Sequence, residues 1–320
     1  MSEKGVVCVT GGSGFIGSWL VRLLLSGGYT VHATVQNLND EKETKHLESL
    51  EGADSSTLHL FQIDLLDYDS VFAAINGTVG VFHLASPCIV DTVHDPQRQL
   101  LDPAIKGTMN VLKAAKECGV KRVVLTSSIS AITPSPNWPA DVPKREDCWA
   151  DLDFCKQNGL WYPASKIMAE KAAWDFAKET GLDVVVINPG TVMGPIIPPS
   201  VNASMLMLLR LTQGCTEEYE NFYMGPVHVK DVALAHILLY ENTAASGRHL
   251  CVEAIRHYGD FAAKVAELYP EYNMPRIPKD TQPGLLRVED GSKKLMDLGI
   301  QFTQIIKDSV ESLKEKGYIS

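Results

Sequence analysis

The sequence predicts an α/β protein: a doubly wound parallel sheet with a smaller C-terminal substrate lobe. Three observations predict it. Short apolar runs alternate with helical patterns as far as Pro189, a glycine-rich turn joins the first run to the first helix, and proline interrupts the pattern afterwards. Apolar runs separated by helices are the signature of parallel strands whose crossovers cover both faces of a sheet.

Taken in order, the predicted strands are Val6–Thr10, Thr30–Val35, Leu58–Ile63, Val79–His83, Val123–Ser127 and Val184–Asn188. Helical patterns lie between them at Phe15–Ser26, Ser70–Ile75, Gln99–Cys118 and Ala164–Thr180. After Pro189 the chain is broken by Pro195, Pro198 and Pro199, and an apolar helix is expected over Ser204–Leu211. The segment His228–Tyr240 is expected to return to the main domain. The organisation that follows is a dinucleotide-binding domain over 1–190 with about 226–250, and a substrate lobe over 191–225 and 251–320.

Composition narrows the function. The 320 residues are 45% hydrophobic and 21% charged, as in an ordinary globular protein, with a formal net charge of -10. That negative field argues against non-specific nucleic acid or membrane-surface binding, so an anionic cofactor needs local cations. The seven cysteines form no CxxC pair or Cys/His cluster, so no metal is expected. Cys148 and Cys155 are close enough in sequence to raise a redox pair, against the simpler reading of two buried thiols. A strand pattern begins at Val6, which leaves no signal-peptide pattern, and no apolar run approaches the roughly 18 residues of a membrane span. A cytoplasmic setting is the expectation.

The glycine turn carries the first chemistry. Gly11, Gly14 and Gly17 in Thr10-Gly11-Gly12-Ser13-Gly14-Phe15-Ile16-Gly17 form the GxxGxxG variant of the dinucleotide fingerprint, between a strand and a helix. Gly11 permits the turn, Gly14 lets backbone approach a pyrophosphate, and Gly17 allows close helix–sheet packing. Ser13, Phe15 and Ile16 complete the loop and the first helical turn, whose N–H groups and dipole suit phosphate. An NAD site carries an acid about 20 residues on, but His32-Ala33-Thr34-Val35-Gln36-Asn37 holds none. Lys42 and Lys45 follow and are placed to neutralise a 2′-phosphate, so NADP(H) is the expected cofactor. Asp64, beside Leu65 at the end of the third strand, either meets the adenine amino group or caps a helix. Ala85 and Ser86 end the fourth strand, at the rim where open α/β sheets bind ligands.

Tyr162 and Lys166 stand four residues apart on one helical face, downstream of a strand ending in Ser127 and Ser128. Together they suit carbonyl reduction without a metal. Tyrosine protonates the carbonyl oxygen as hydride arrives, serine holds that oxygen, and lysine lowers the tyrosine pKa. At about 5 Å and an effective dielectric near 20, the ammonium is worth roughly 3 kcal/mol, or about 2 pKa units. Pro163 is tolerable if the helix begins near Leu160–Tyr162.

These residues lie in stretches, TGGSGFIGSWLVRLLL, VFHLASP, VVLTSSISA, CWADLDFC, WYPASKIMAEKAAWDFAKE, VNASM and HVKDVALAHILLYE, that resemble the extended short-chain dehydrogenase/reductases along essentially the whole chain. The likeness is strongest to the plant group of cinnamoyl-CoA reductases, dihydroflavonol reductases and related aldehyde reductases. It implies a Rossmann-type domain, catalytic roles for Ser128, Tyr162 and Lys166, and nicotinamide-side places for Pro189 and Val192. Lys166 also enters the cofactor set. The departures matter as much. Gln36 stands where the group commonly has arginine for the 2′-phosphate, while Lys42 is kept. Leu160-Trp161-Tyr162-Pro163-Ala164-Ser165-Lys166 replaces the NWYCYGK of cinnamoyl-CoA reductases. The three cations that grip CoA phosphates there fall on Met207, Arg210 and Tyr258, so one of them survives.

The resulting expectation is NADPH-dependent reduction of a small phenolic, hydroxycinnamaldehyde-type aldehyde, a cinnamyl-alcohol dehydrogenase activity with Tyr162 as general acid. Trp138, Met193, Met205, Met207, Phe222 and Tyr223 are the expected apolar lining for that substrate. Two rivals stand beside it: a cinnamoyl-CoA reductase, and a catalytically silent NADP-binding protein, the latter disfavoured by the presence of Ser128, Tyr162 and Lys166.

Overall fold

The computed structural model describes residues 4–87, 93–139, 141–214, 223–272, 274, 288 and 290–320. The alternation expected from the sequence is present. β1 (Val6–Thr10), α1 (Phe15–Ser26), β2 (Thr30–Val35), α2 (Glu41–Glu48), β3 (Leu58–Gln62), α3 (Tyr68–Ile75) and β4 (Gly80–His83) build the first half of the sheet. α4 (Asp102–Glu117), β5 (Arg122–Thr126), α5 (Leu152–Gln157), α6 (Trp161–Thr180) and β6 (Val184–Pro189) build the second half.

Smaller elements follow: β7 (Thr191–Met193), α7 (Ala203–Thr212), β8 (Tyr223–Met224) and β9 (Pro226–His228). Next come α8 (Val229–Glu241), β10 (Gly247–Cys251), β11 (Arg256–His257), α9 (Tyr258–Leu268), α10 (Lys293–Asp297) and α11 (Ile305–Glu315). The main sheet has seven parallel strands in the order β10-β6-β5-β4-β1-β2-β3. β10 is the strand that a reading of 226–250 as a returning segment left unnamed, and Cys251 ends it.

The central strands are buried on both faces, which is why they read as continuous apolar runs, whereas the edge strand β3 is only partly buried. Val7, Val9, Val31, Phe82, Val124 and Ile187 pack against Trp19, Leu20 and Leu24 of α1 and Val232 and Leu239 of α8. On the other face Cys8, Val81, Val123 and Val186 meet Val71 and Ile75 of α3 and Val111 and Leu112 of α4. Burial pushes the Cys8 thiol up to about 12, so it behaves as a small apolar side chain. The first of these clusters continues into Met205 and Leu208 of α7, Phe261 and Val265 of α9, and Val310 and Leu313 of α11. A parallel β7–β9 pair and an antiparallel β8–β11 pair lie beyond the main sheet.

Two local differences from the sequence reading have plain causes, and one condition it set is met. α2 is absent from the expected helices because only Thr44 and Leu47 are buried on it, too few to show an apolar period. Asp40 starts it by accepting a hydrogen bond from the Lys42 N–H. The expected helix Gln99–Cys118 divides into a π-helical turn at Gln97–Leu101 and α4. Pro103, in the first turn of α4, has no N–H to continue an α-helical ladder. Helix α6 begins at Trp161, so Pro163 does fall in the first turn. Among the described residues no helix is long and apolar enough to cross a membrane.

Candidate active site

The strand order reverses between β1 and β4, and ligands in open α/β sheets bind beyond the strand C-termini at such a point. Side chains fix this junction. Thr10 Oγ1 accepts hydrogen bonds from the Leu84 and Ala85 N–H groups, each at 3.1 Å, and meets His83 Nδ1 at 2.8 Å. With both lone pairs of Thr10 occupied, its hydroxyl donates to Nδ1, and the Nε2–H of His83 donates to Thr108 Oγ1 at 3.2 Å. Burial, helped by the Lys166 charge, pushes His83 down to about 3. The imidazole therefore stays neutral and the junction is indifferent to physiological pH.

The glycine loop is shaped for close approach. Gly11 adopts φ +70°, and a Cβ at Gly17 would lie 2.1 Å from the Gly11 carbonyl oxygen, so only glycine fits there. Helix α1 has Gly14 at its N-cap, no side-chain cap and no acid in its first turn. By contrast α2, α3, α5 and α7 are capped by Asp40, Asp67, Asp151 and Asn202. The first N–H groups of α1 are thus left to an anion.

Two adjoining cavities open from this loop. The larger, about 920 Å³, is bounded by Gly11, Ser13, Gly14, Gln36, Lys42, Asp64, Leu65, Ala85 and Ser86, all expected at the cofactor. Sequence reasoning missed Thr34, Glu43, Ile63 and Pro198–Ser200 on the same walls. Asp64 turns one oxygen to the Leu66 N–H at 2.9 Å, while the cap of α3 is Asp67. The helix-cap reading of Asp64 therefore does not hold; it braces a turn at the groove wall. Lys45 is drawn away from the groove into an exposed pair with Glu41 at 2.6 Å. Lys42 is the lysine that lines it.

The second cavity, about 280 Å³, brings the chemistry together. Ser128, Tyr162 and Lys166 line it with Gly11, Gly14, Phe15, Ile16, Gly17 and Ser86 on one side and Pro189 and Val192 on the other. The Lys166 ammonium lies 5.7 Å from the centre of the Tyr162 ring. Ser128 ends the strand segment at the head of a short 3-10 turn, where its Oγ accepts from the Ser130 N–H at 3.0 Å. Ser127 lines the same cavity, and its hydroxyl donates to Glu170 Oε2 at 2.6 Å.

A buried ion pair stands behind these residues. Glu170, one turn beyond Lys166 on α6, is paired with Arg248 of β10 at 2.6 Å. Asn188 Nδ2 donates both to Glu170 and to the Ser128 carbonyl, at 3.0 and 3.2 Å. Arg248 also donates to the carbonyls of Ala131, Glu146 and Cys148 and stacks over Trp149 at 3.9 Å. One salt bridge thereby joins α6, the Ser128 segment beyond β5 and the sheet edge.

The expected substrate lining needs correction. Met193 and Met205 are fully buried in the main core, where the Met205 sulfur accepts from the Gly194 N–H at 3.4 Å. Trp138 packs against Ile132, Cys148 and Leu250 and donates to the Val142 carbonyl. Met207 packs on the main core, and Tyr223 sets its ring edge against His257 at 5.3 Å. None of these five lines either cavity; Phe222 lies outside the described residues. Met193 and Met205 serve packing, while Trp138, Met207 and Tyr223 are partly exposed outside both cavities. Thr126, Asn202, Ala203 and Ser204 line the second cavity instead. The only sequence signal for the last three was the stretch VNASM, which had been given no role.

Cys148 and Cys155 are both free and fully buried, in separate clusters. Burial raises both thiols above the ordinary range, which leaves little thiolate at neutral pH. They are core residues here.

With this geometry in place, the comparisons with known proteins are specific. Cinnamoyl-CoA reductase 1 of Petunia hybrida is 49% identical over 318 residues, covering 98% of this chain and 93% of its own. Among solved structures, vestitone reductase from alfalfa superposes with a TM-score of 0.85 at 35% identity, over 99% of this chain and 100% of that one. The yeast methylglyoxal/isovaleraldehyde reductase complexed with NADPH gives 0.82 at 26% identity, over 98% and 100%. A profile described as the NAD dependent epimerase/dehydratase family matches residues 7–252, which span the sheet, both cavities and the Ser128, Tyr162 and Lys166 cluster. This chain belongs to that family, the extended short-chain dehydrogenase/reductases.

Proposed function

We propose that this chain is an NADP(H)-dependent oxidoreductase that reduces a cinnamoyl-type carbonyl group, with the hydroxycinnamoyl-CoA thioester as the best-supported substrate. The observation that carries the reaction is the shared cavity: Ser128, Tyr162 and Lys166 face the first turn of α1 across from Pro189 and Val192. The thioester is supported by relatives named cinnamoyl-CoA reductase that are 42–49% identical over 98% of the chain. The sequence had placed the free aldehyde first and the thioester second; these relatives favour the reverse order.

The residues fit the cofactor. Gly11, Ser13, Gly14 and the first turn of α1 would hold the pyrophosphate. Gln36, Lys42, Asp64 and Leu65 would border the adenosine, and Ala85, Ser86, Pro189 and Val192 the nicotinamide side. When bound, reduced nicotinamide supplies the hydride. The protein's part is the carbonyl oxygen. Ser128 Oγ holds it by a hydrogen bond, and the Tyr162 phenol donates its proton as negative charge develops. The Lys166 ammonium, within a few ångströms of the phenol ring, favours the phenolate that remains. In a thioester the same donors stabilise the oxyanion of the tetrahedral adduct until the thiolate leaves.

The aldehyde reading keeps one observation in its favour. Tyr258 is buried with its ring stacked on Phe261, and Met207 packs into the core, so neither place offers a cation to CoA phosphates. The test follows NADPH absorbance with feruloyl-CoA and with coniferaldehyde in parallel. Thioester turnover yielding coniferaldehyde is expected. Aldehyde turnover alone would replace the first reading by the second, and turnover of neither would contradict both.

A further inference from the structure

A carboxylate stands where the sequence shows none. Glu43 reaches back from the first turn of α2, and its Oε2 accepts the Gln36 N–H at 2.6 Å and the Ser13 hydroxyl at 3.5 Å. Gln36 directly follows β2, and Ser13 belongs to the glycine loop, so the carboxylate bridges the strand end and the phosphate loop on the wall of the larger cavity. The helix that carries it is pinned: His46 Nε2–H donates to the Ser13 carbonyl at 3.1 Å. In dinucleotide folds an acid at this strand end accepts a hydrogen bond from the ribose 2′-hydroxyl, and a 2′-phosphate requires a cation there. Glu43 is partly exposed and is held by two neutral donors, and among the described residues no arginine or lysine forms an ion pair with it.

We infer that Glu43 sets the choice between NADP(H) and NAD(H), and holds the preference for NADP(H) weak. The inference rests on the dinucleotide reading of this cavity. Held as described, the carboxylate is an acceptor for the 2′-hydroxyl of NAD(H). A 2′-phosphate brings like charge to the same spot and must displace Glu43 toward solvent, where the exposed Lys42 on the same wall can meet it. The repulsion acts against the attraction that Lys42 supplies. Glu43→Gln keeps an acceptor of the same shape and removes only the charge; Glu43→Lys reverses it.

Equilibrium titration calorimetry with NADP⁺ and with NAD⁺ tests this independently of turnover. For the wild type the two dissociation constants are expected to lie within about tenfold of each other. Glu43→Gln is expected to shift their ratio toward NADP⁺ by about tenfold, and Glu43→Lys further in the same direction. A wild type that prefers NADP⁺ by more than about 100-fold would overturn the role of Glu43, as would a ratio that neither variant moves. Failure of the folded wild type to bind either nucleotide would instead overturn the dinucleotide reading, and the role of Glu43 with it.

Discussion

Tyr162→Phe is expected to lower turnover by about 10²–10⁴-fold, the usual worth of a positioned general acid. The substitution removes one hydroxyl and leaves the ring that lies beside Lys166 and lines the second cavity. The larger cavity, proposed to hold the nucleotide, is built from the glycine loop and the ends of β2, β3 and β4, so cofactor affinity should stay nearly unchanged. Steady-state rates and calorimetric binding on the same preparation check both halves. A variant that keeps more than about a tenth of the wild-type rate would remove Tyr162 from proton transfer.

The largest effect on stability is expected at Arg248. Its guanidinium is buried against Glu170 and three carbonyl oxygens, and it stacks on Trp149. Arg248→Met leaves the fully buried Glu170 carboxylate without its countercharge, which typically costs about 3–5 kcal/mol. Thermal melts should fall by roughly ten degrees. Pairing it with Glu170→Gln should recover part of the loss, because the unpaired charge is then gone. If the double variant is destabilised by the full sum of the two single ones, the ion pair is not what holds this junction. Ser127 and Asn188 donate to Glu170, and Asn188 also donates to the Ser128 carbonyl, so the single variant should also slow turnover at temperatures where it remains folded.

Periodicity made the sheet legible. Its central strands are buried on both faces, and the glycine loop, Tyr162 and Lys166 stand at spacings with direct physical meaning. The elements that escaped are those whose positions depend on partners far along the chain. α2 shows no apolar period, so Glu43, seven residues beyond Gln36, gave no sign of folding back onto the strand end. Glu170 and Arg248 are far apart in sequence and meet only because β10 pairs with β6. The error over Met193 and Met205 has the opposite origin. Apolar, flexible side chains near a site look the same in sequence whether they face a substrate or fill the core, and here they fill the core.

The central claim is that hydride passes to a carbonyl carbon held against Ser128 and Tyr162. Reduction with NADPH carrying deuterium at C4 of the nicotinamide, on the transferred face, tests it most directly. Mass spectrometry of the product should find one deuterium on the former carbonyl carbon with the wild-type protein, and a rate of label transfer lowered in step with turnover in Tyr162→Phe. Product that forms without the label, or label transfer undiminished in Tyr162→Phe, would contradict it.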